Sequence, residues 1–120
     1  MTTTSNANVL NHVFSVVLKL SSSRTQSLLD WMDYHGYKSI IDLYNVYVVY
    51  PQQILADLEY IPPETQETCK LSLVVGKLLQ NLFTWAESMS SHKKRGLYNE
   101  DWMNLNKETF DKWKILNSTS

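Results

Sequence analysis

The sequence predicts an all-α fold, an orthogonal bundle of five to six helices around one long central helix at about 64–90. Two observations carry this expectation. Leu71, Val74, Val75, Leu78, Leu79, Leu82, Phe83, Ala86 and Met89 recur at alternating spacings of three and one, the stripe of a helix packed at the centre of a core. The rest of the chain is punctuated by helix caps and stops, and its single strand-like run, "VYVVY" at 46–50, has no second run to pair with.

The first helix is expected over Val9–Leu20 with Asn8 as cap, because Val9, Leu10, Val13, Phe14, Val17 and Leu20 share one face. "SSSRTQ" stops it and starts the next, with Ser23 and Gln26 at capping-box spacing. That second helix turns Leu28, Leu29 and Met32 inward, with Trp31 a further candidate, and ends at Gly36, where a left-handed residue costs glycine little. Ser39 caps the third helix, supported by Asp42, and 46–50 is read as its end or an extended connector. Pro51 suits the first position of a short helix carrying Ile54, Leu55 and Leu58. The long helix follows, with Glu64 and Glu67 near its start, Lys93, Lys94 and Arg95 past its end, and Gly96 closing it. A turn at 100–105 and a last helix at 107–116, capped by Asn106, complete a single domain over 8–116. Residues 1–7 are expected to form a disordered tail and 117–120 a frayed end.

At 120 residues the chain is long enough to bury a core without disulfides, and its one cysteine, Cys69, permits none within the chain. A net charge of −1 argues against a protein whose main task is gripping phosphate. No apolar run approaches the roughly 20 residues that cross a bilayer, and "MTTTSNAN" lacks the basic start of a secretory signal. The expectation is an intracellular, soluble protein without a membrane partner.

Chemistry-bearing motifs are sparse. His35 lies beside Tyr34 and Tyr37 but has no ligand or base at helical spacing except Asp33, which is too close along the chain to share its face, so it reads as a structural or solvent-facing histidine. Cys69, placed at the start of the long helix, has no adjacent histidine and reads as inert. No nucleophile-elbow, phosphate-loop or zinc-protease signature occurs. No enzyme, cofactor, metal or small-molecule substrate is inferred. "SHKKRG" offers Lys93, Lys94 and Arg95 as nucleic-acid contacts, against the plainer reading of a solvated helix terminus. Most of the four tryptophans are expected in the core. Trp102 and Trp113, with Tyr47 and Tyr50 behind them, are the candidates for an exposed partner surface.

The succession "NVLNHVFSVVLKL", "SLLDWMDYHGYKSIIDLYNV", "ILADLEY", "LFTWAESM" and "LYNEDWMNLNKETFDKWKI" spans about 8–116. It resembles a helical segment upstream of the protease and polymerase regions in copia-type retrotransposon polyproteins of some unicellular eukaryotes, and similar short free-standing proteins. The resemblance implies a non-enzymatic interaction or self-assembly domain, capsid-like in role. It transfers no catalytic residue, and no zinc-knuckle spacing accompanies it.

Overall fold

The computed structural model describes residues 5–118, and within them the chain forms seven α-helices and one two-stranded hairpin. Helix α1 (Asn6–Asn11) passes directly into a π-helical segment, His12–Val17. Next come α2 (Ser22–His35), α3 (Ile40–Val49) and α4 (Gln53–Ala56). Strands β1 (Glu59–Tyr60) and β2 (Cys69–Lys70) precede α5 (Leu73–Lys93), α6 (Asn99–Met103) and α7 (Lys107–Ser118). The all-α expectation holds, with more and shorter helices than the sequence suggests.

Several boundaries move, each because a side chain or a backbone bond captures the terminus. Ser5, not Asn8, caps α1: the Asn8 N–H donates to the Ser5 hydroxyl at 3.2 Å. Asn6 and Ala7 are therefore helical rather than part of a tail, and residues 1–4 lie outside the described residues. Ser21, not Ser23, caps α2 by accepting from Arg24 N–H at 3.3 Å, while Gln26 turns forward to Asp30. At its far end Gly36 takes φ 83°, with Gly36 N–H on Asp33 O and Tyr37 N–H on Met32 O. That pair of bonds is a Schellman motif, as the sequence reading requires. Ser39 and Asn106 are caps as expected, accepting from Asp42 N–H at 3.1 Å and Thr109 N–H at 2.9 Å. Asn117 and Ser118 extend α7, and 119–120 lie outside the described residues. Pro51 sits in the turn before α4, and Leu58 falls beyond that helix.

The long helix shifts most. It spans 73–93 instead of about 64–90. Antiparallel pairing of Glu59 with Lys70 and Tyr60 with Cys69 takes the preceding residues into a hairpin, and the Ser72 hydroxyl then caps Val74 N–H at 3.2 Å. Cys69 is consequently a strand residue, half-buried, not the first turn of a helix. The helix ends at Lys94 in the left-handed region, φ 58°, before Gly96 is reached.

The buried face of α5 is nevertheless the predicted one: Val75, Leu79, Leu82, Phe83 and Ala86 are buried, with Trp85 added. Val74, in the first turn, stays 56% exposed. Around α5 pack α3, α4 and α7, while α1 and the π-helical segment are covered by α6 and α7. Gly76 is where α4 comes closest; a Cβ there would lie 2.8 Å from Leu55 Cδ2 and 3.4 Å from Leu58 Cδ2. Gly76→Val is expected to cost about 2 kcal/mol through overpacking, read as a lower midpoint in chemical denaturation. Gly76→Ala should be close to neutral, because the half-buried Leu55 tip can swing aside and the helix gains propensity.

Candidate partner-binding surface

Three of the four aromatic candidates converge, and one does not. Trp102 is fully buried, its ring 5.6 Å from Trp85, 6.2 Å from Tyr44 and 6.3 Å from Phe83. It is a core residue rather than a contact residue, because α6 lies face down across α1 and the π-helical segment. Tyr47 is half-buried, with its ring 5.7 Å from Phe83 and its hydroxyl 2.9 Å from Thr84 Oγ1. Tyr50 projects, 64% exposed. Trp113 is half-buried and stacks on Phe110, centroids 6.2 Å apart and planes 7° from parallel.

Residues Gln80, Asn81 and Thr84 of α5 form the seam joining these side chains. Gln80 Nε2 donates to Pro51 O at 3.0 Å, which holds the end of α3 beside α5. Thr84, bonded to Tyr47 on that side, lines a depression on the other with Asn81, Trp113, Lys114 and Ile115. The C-terminal ends of α3 and α7 therefore flank one polar edge. Both ends are apolar and exposed: Val48 at 48%, Val49 at 65% and Tyr50 on α3, with Ile115 at 65% and Leu116 at 77% on α7. Sequence reading names neither Val48, Val49, Ile115 nor Leu116 as contacts. The available signal is that both helices carry apolar residues on more than one face near their ends.

Trp113 also borders a groove of about 360 Å³ between α5 and the α6–α7 segment. Trp85, Met89, Leu97 and Leu105 form its apolar walls, and Lys93 and Asp101 lie at its rim. Asp101 organises the basic cluster. Arg95 donates to it from Nη1 at 2.8 Å and Nη2 at 3.3 Å, and Lys93 Nζ stands 3.7 Å away. Its carboxylate also accepts Tyr98 N–H at 2.7 Å, so the same group caps α6. Arg95 in turn lies over the Tyr98 ring at 4.3 Å.

The hydrogen bonds from Arg95, helped by Tyr98 N–H, hold the Asp101 carboxyl below its ordinary range although partial burial opposes them. A depressed folded-state pKa stabilises the fold above the unfolded value, and that stability is lost as pH falls through the folded value. Asp101→Asn should cost about 2 kcal/mol at pH 7 by removing a charged, multiply bonded acceptor. The gap to the parent protein should narrow only as the pH falls below the ordinary carboxylate range and through the depressed folded-state value of Asp101, where the parent carboxyl is protonated too.

At the corner between α2 and α3 the Trp31 ring lies 5.2 Å from His35 and 5.5 Å from Tyr37. Trp31 Nε1 donates to Asp57 O at 2.7 Å, and His35 Nε2 lies 2.8 Å from Glu59 O, tying α2 to the hairpin. Burial, reinforced by the Asp57 charge, raises the Tyr37 phenol above its usual value. Among the described residues no group of three or more His, Cys, Asp or Glu side chains is placed to hold a metal ion. Nor is any helix among them long and apolar enough to cross a membrane. Comparison with protein-family models, curated proteins and solved structures finds no match.

Proposed function

We propose that this chain is a non-enzymatic protein-interaction and self-assembly module, capsid-like in role and of retroelement descent. The observation carrying this reading is the exposed apolar surface at the ends of α3 and α7, joined across the α5 edge. Scattered exposed hydrophobics need no explanation, but large ones gathered beside half-buried Tyr and Trp are typical of a contact surface. The sequence resemblance supplies the retroelement origin.

Concentration-dependent mass by light scattering tests it. The parent chain should gain mass as concentration rises. Val49→Asp/Tyr50→Asp should raise the dissociation constant on the order of tenfold or more while barely moving the melting temperature. A chain that stays monomeric at the highest attainable concentration sinks the assembly reading.

Nucleic-acid binding through Lys93, Lys94 and Arg95 is the alternative, and Asp101 weighs against it. That carboxylate lies against Lys93 and Arg95 and would compete with phosphate for both. RNA affinity that persists at physiological salt and disappears in the triple charge-neutralised variant would favour this alternative.

A further inference from the structure

We propose that the groove between α5 and the α6–α7 segment binds a small amphipathic carboxylate, a slender apolar body carrying one anionic head. The inference goes beyond the assembly reading and does not depend on it.

The walls set the body of the ligand. Trp85, Leu97 and Leu105 belong to the buried core, and Met89 and Trp113, half-buried, pack against it. These five apolar side chains come from α5, α7 and the two short connections on either side of α6, and they meet at one concavity. At about 360 Å³ it stands at the lower end of small-molecule sites, which run from roughly 300 to 1,000 Å³. The unbranched Met89 side chain can adjust to the shape of what enters.

Charge at the rim sets the head. Lys93 and Asp101 are the charged side chains that line the groove, and Arg95 is bound to Asp101, so the three together carry one positive charge in excess. Asp101 is fully engaged: Arg95 donates to both of its oxygens and Tyr98 N–H to one of them. Lys93 is held less closely. Its Nζ stands 3.7 Å from Asp101 Oδ1, outside hydrogen-bond distance, and its side chain is 33% exposed. The polar lining residues Asn104 and Thr109 are neutral. A carboxylate whose body lies against the tryptophans therefore meets an ammonium with donors to spare and gains a charge-assisted hydrogen bond. An ammonium head would meet the same cation, with the lining carboxylate already taken by Arg95. Asp101 opposes a ligand held by charge alone, whereas here the apolar body supplies most of the affinity and the head orients it.

Titration calorimetry on the full chain, with decanoate kept below its micelle concentration, tests the proposal. Decanoate should bind saturably at one site per chain. Octanoate should bind about tenfold more weakly, since each methylene brought out of water is worth about fourfold. Decylammonium, with the same tail and the opposite head, should bind more weakly than decanoate. Lys93→Gln should weaken decanoate about fivefold without weakening decylammonium. Met89→Trp, which fills the groove, should abolish binding, and Asn104→Trp, a change at an exposed lining position, should weaken it if the first variant folds poorly. The absence of saturable binding overturns the proposal. So does decanoate binding that is indifferent to Lys93→Gln, or to both tryptophan variants. Loss of self-association on filling the groove, in a chain that takes up no decanoate, would assign the groove to a protein contact and also overturn it.

Discussion

Trp102→Ala is expected to remove about 4 kcal/mol of stability and to lower the melting temperature by about 15 °C. The indole is fully buried between α3, α5 and α6, in ring contact with Tyr44, Phe83 and Trp85. Its removal leaves a void that three rigid aromatic neighbours cannot collapse into, which places the loss at the high end for a core truncation. Typical domains have roughly 5–15 kcal/mol in all, so the variant should be partly unfolded near body temperature. Among the described residues, Trp102 Nε1 is buried with no hydrogen-bond acceptor. Trp102→Phe therefore loses volume but no hydrogen bond, and should cost about 1.5 kcal/mol. Thermal and denaturant unfolding followed by circular dichroism read both values. A Trp102→Ala protein that melts within a few degrees of the parent would show that the ring is not packed as described.

Trp31→Ala should cause a comparable or larger loss, about 4–5 kcal/mol, for a different reason. Trp31 is 1% exposed, and its Nε1 donates to the Asp57 carbonyl at 2.7 Å, across the junction of α2 with the segment leading to β1. The informative comparison is again with phenylalanine. Trp31→Phe abandons the Asp57 carbonyl as well as volume, so it should cost about 1 kcal/mol more than Trp102→Phe. Equal costs for the two phenylalanine variants would mean that the Trp31 hydrogen bond contributes nothing net. The Trp31 substitution should also loosen the hairpin, seen as faster amide exchange at Tyr60 and Cys69, whereas Trp102→Phe should leave those amides unchanged.

Features set by neighbours in sequence were legible from the residues alone. Gly36 and Ser39 define the α2–α3 corner because their roles depend on backbone conformation and one short hydrogen bond. The buried face of α5 was legible for the same reason, since periodicity is a local property. Its start was not. Glu64 and Glu67 look like acidic residues at a helix N-terminus, but the helix begins only after 69–70 has paired with a strand ten residues upstream. Ser5 and Ser21 outcompete Asn8 and Ser23 as caps, a choice among adjacent small polar residues that sequence alone leaves close. The candidate surface depended most on contacts distant in sequence. Tyr47 meets Thr84 across 37 residues and Gln80 meets Pro51 across 29, and these bonds, with the depression that Thr84 shares with Trp113, bring the ends of α3 and α7 to one α5 edge. Trp102 carried the same aromatic signal as Trp113, and the packing of α6 alone separates a core ring from a surface one.

The hairpin has a practical consequence. Eight residues, 61–68, leave the fold at Tyr60 and return at Cys69, and none of them is buried. Their two ends are held side by side by strand pairing, so a foreign domain with adjacent termini could be spliced between Thr65 and Gln66 without separating them. Lengthening such a loop costs little, about 0.6 kcal/mol for each doubling. A fluorescent reporter inserted there would alter no residue of α3 or α7, and proximity signals between differently coloured copies could then be followed in living cells.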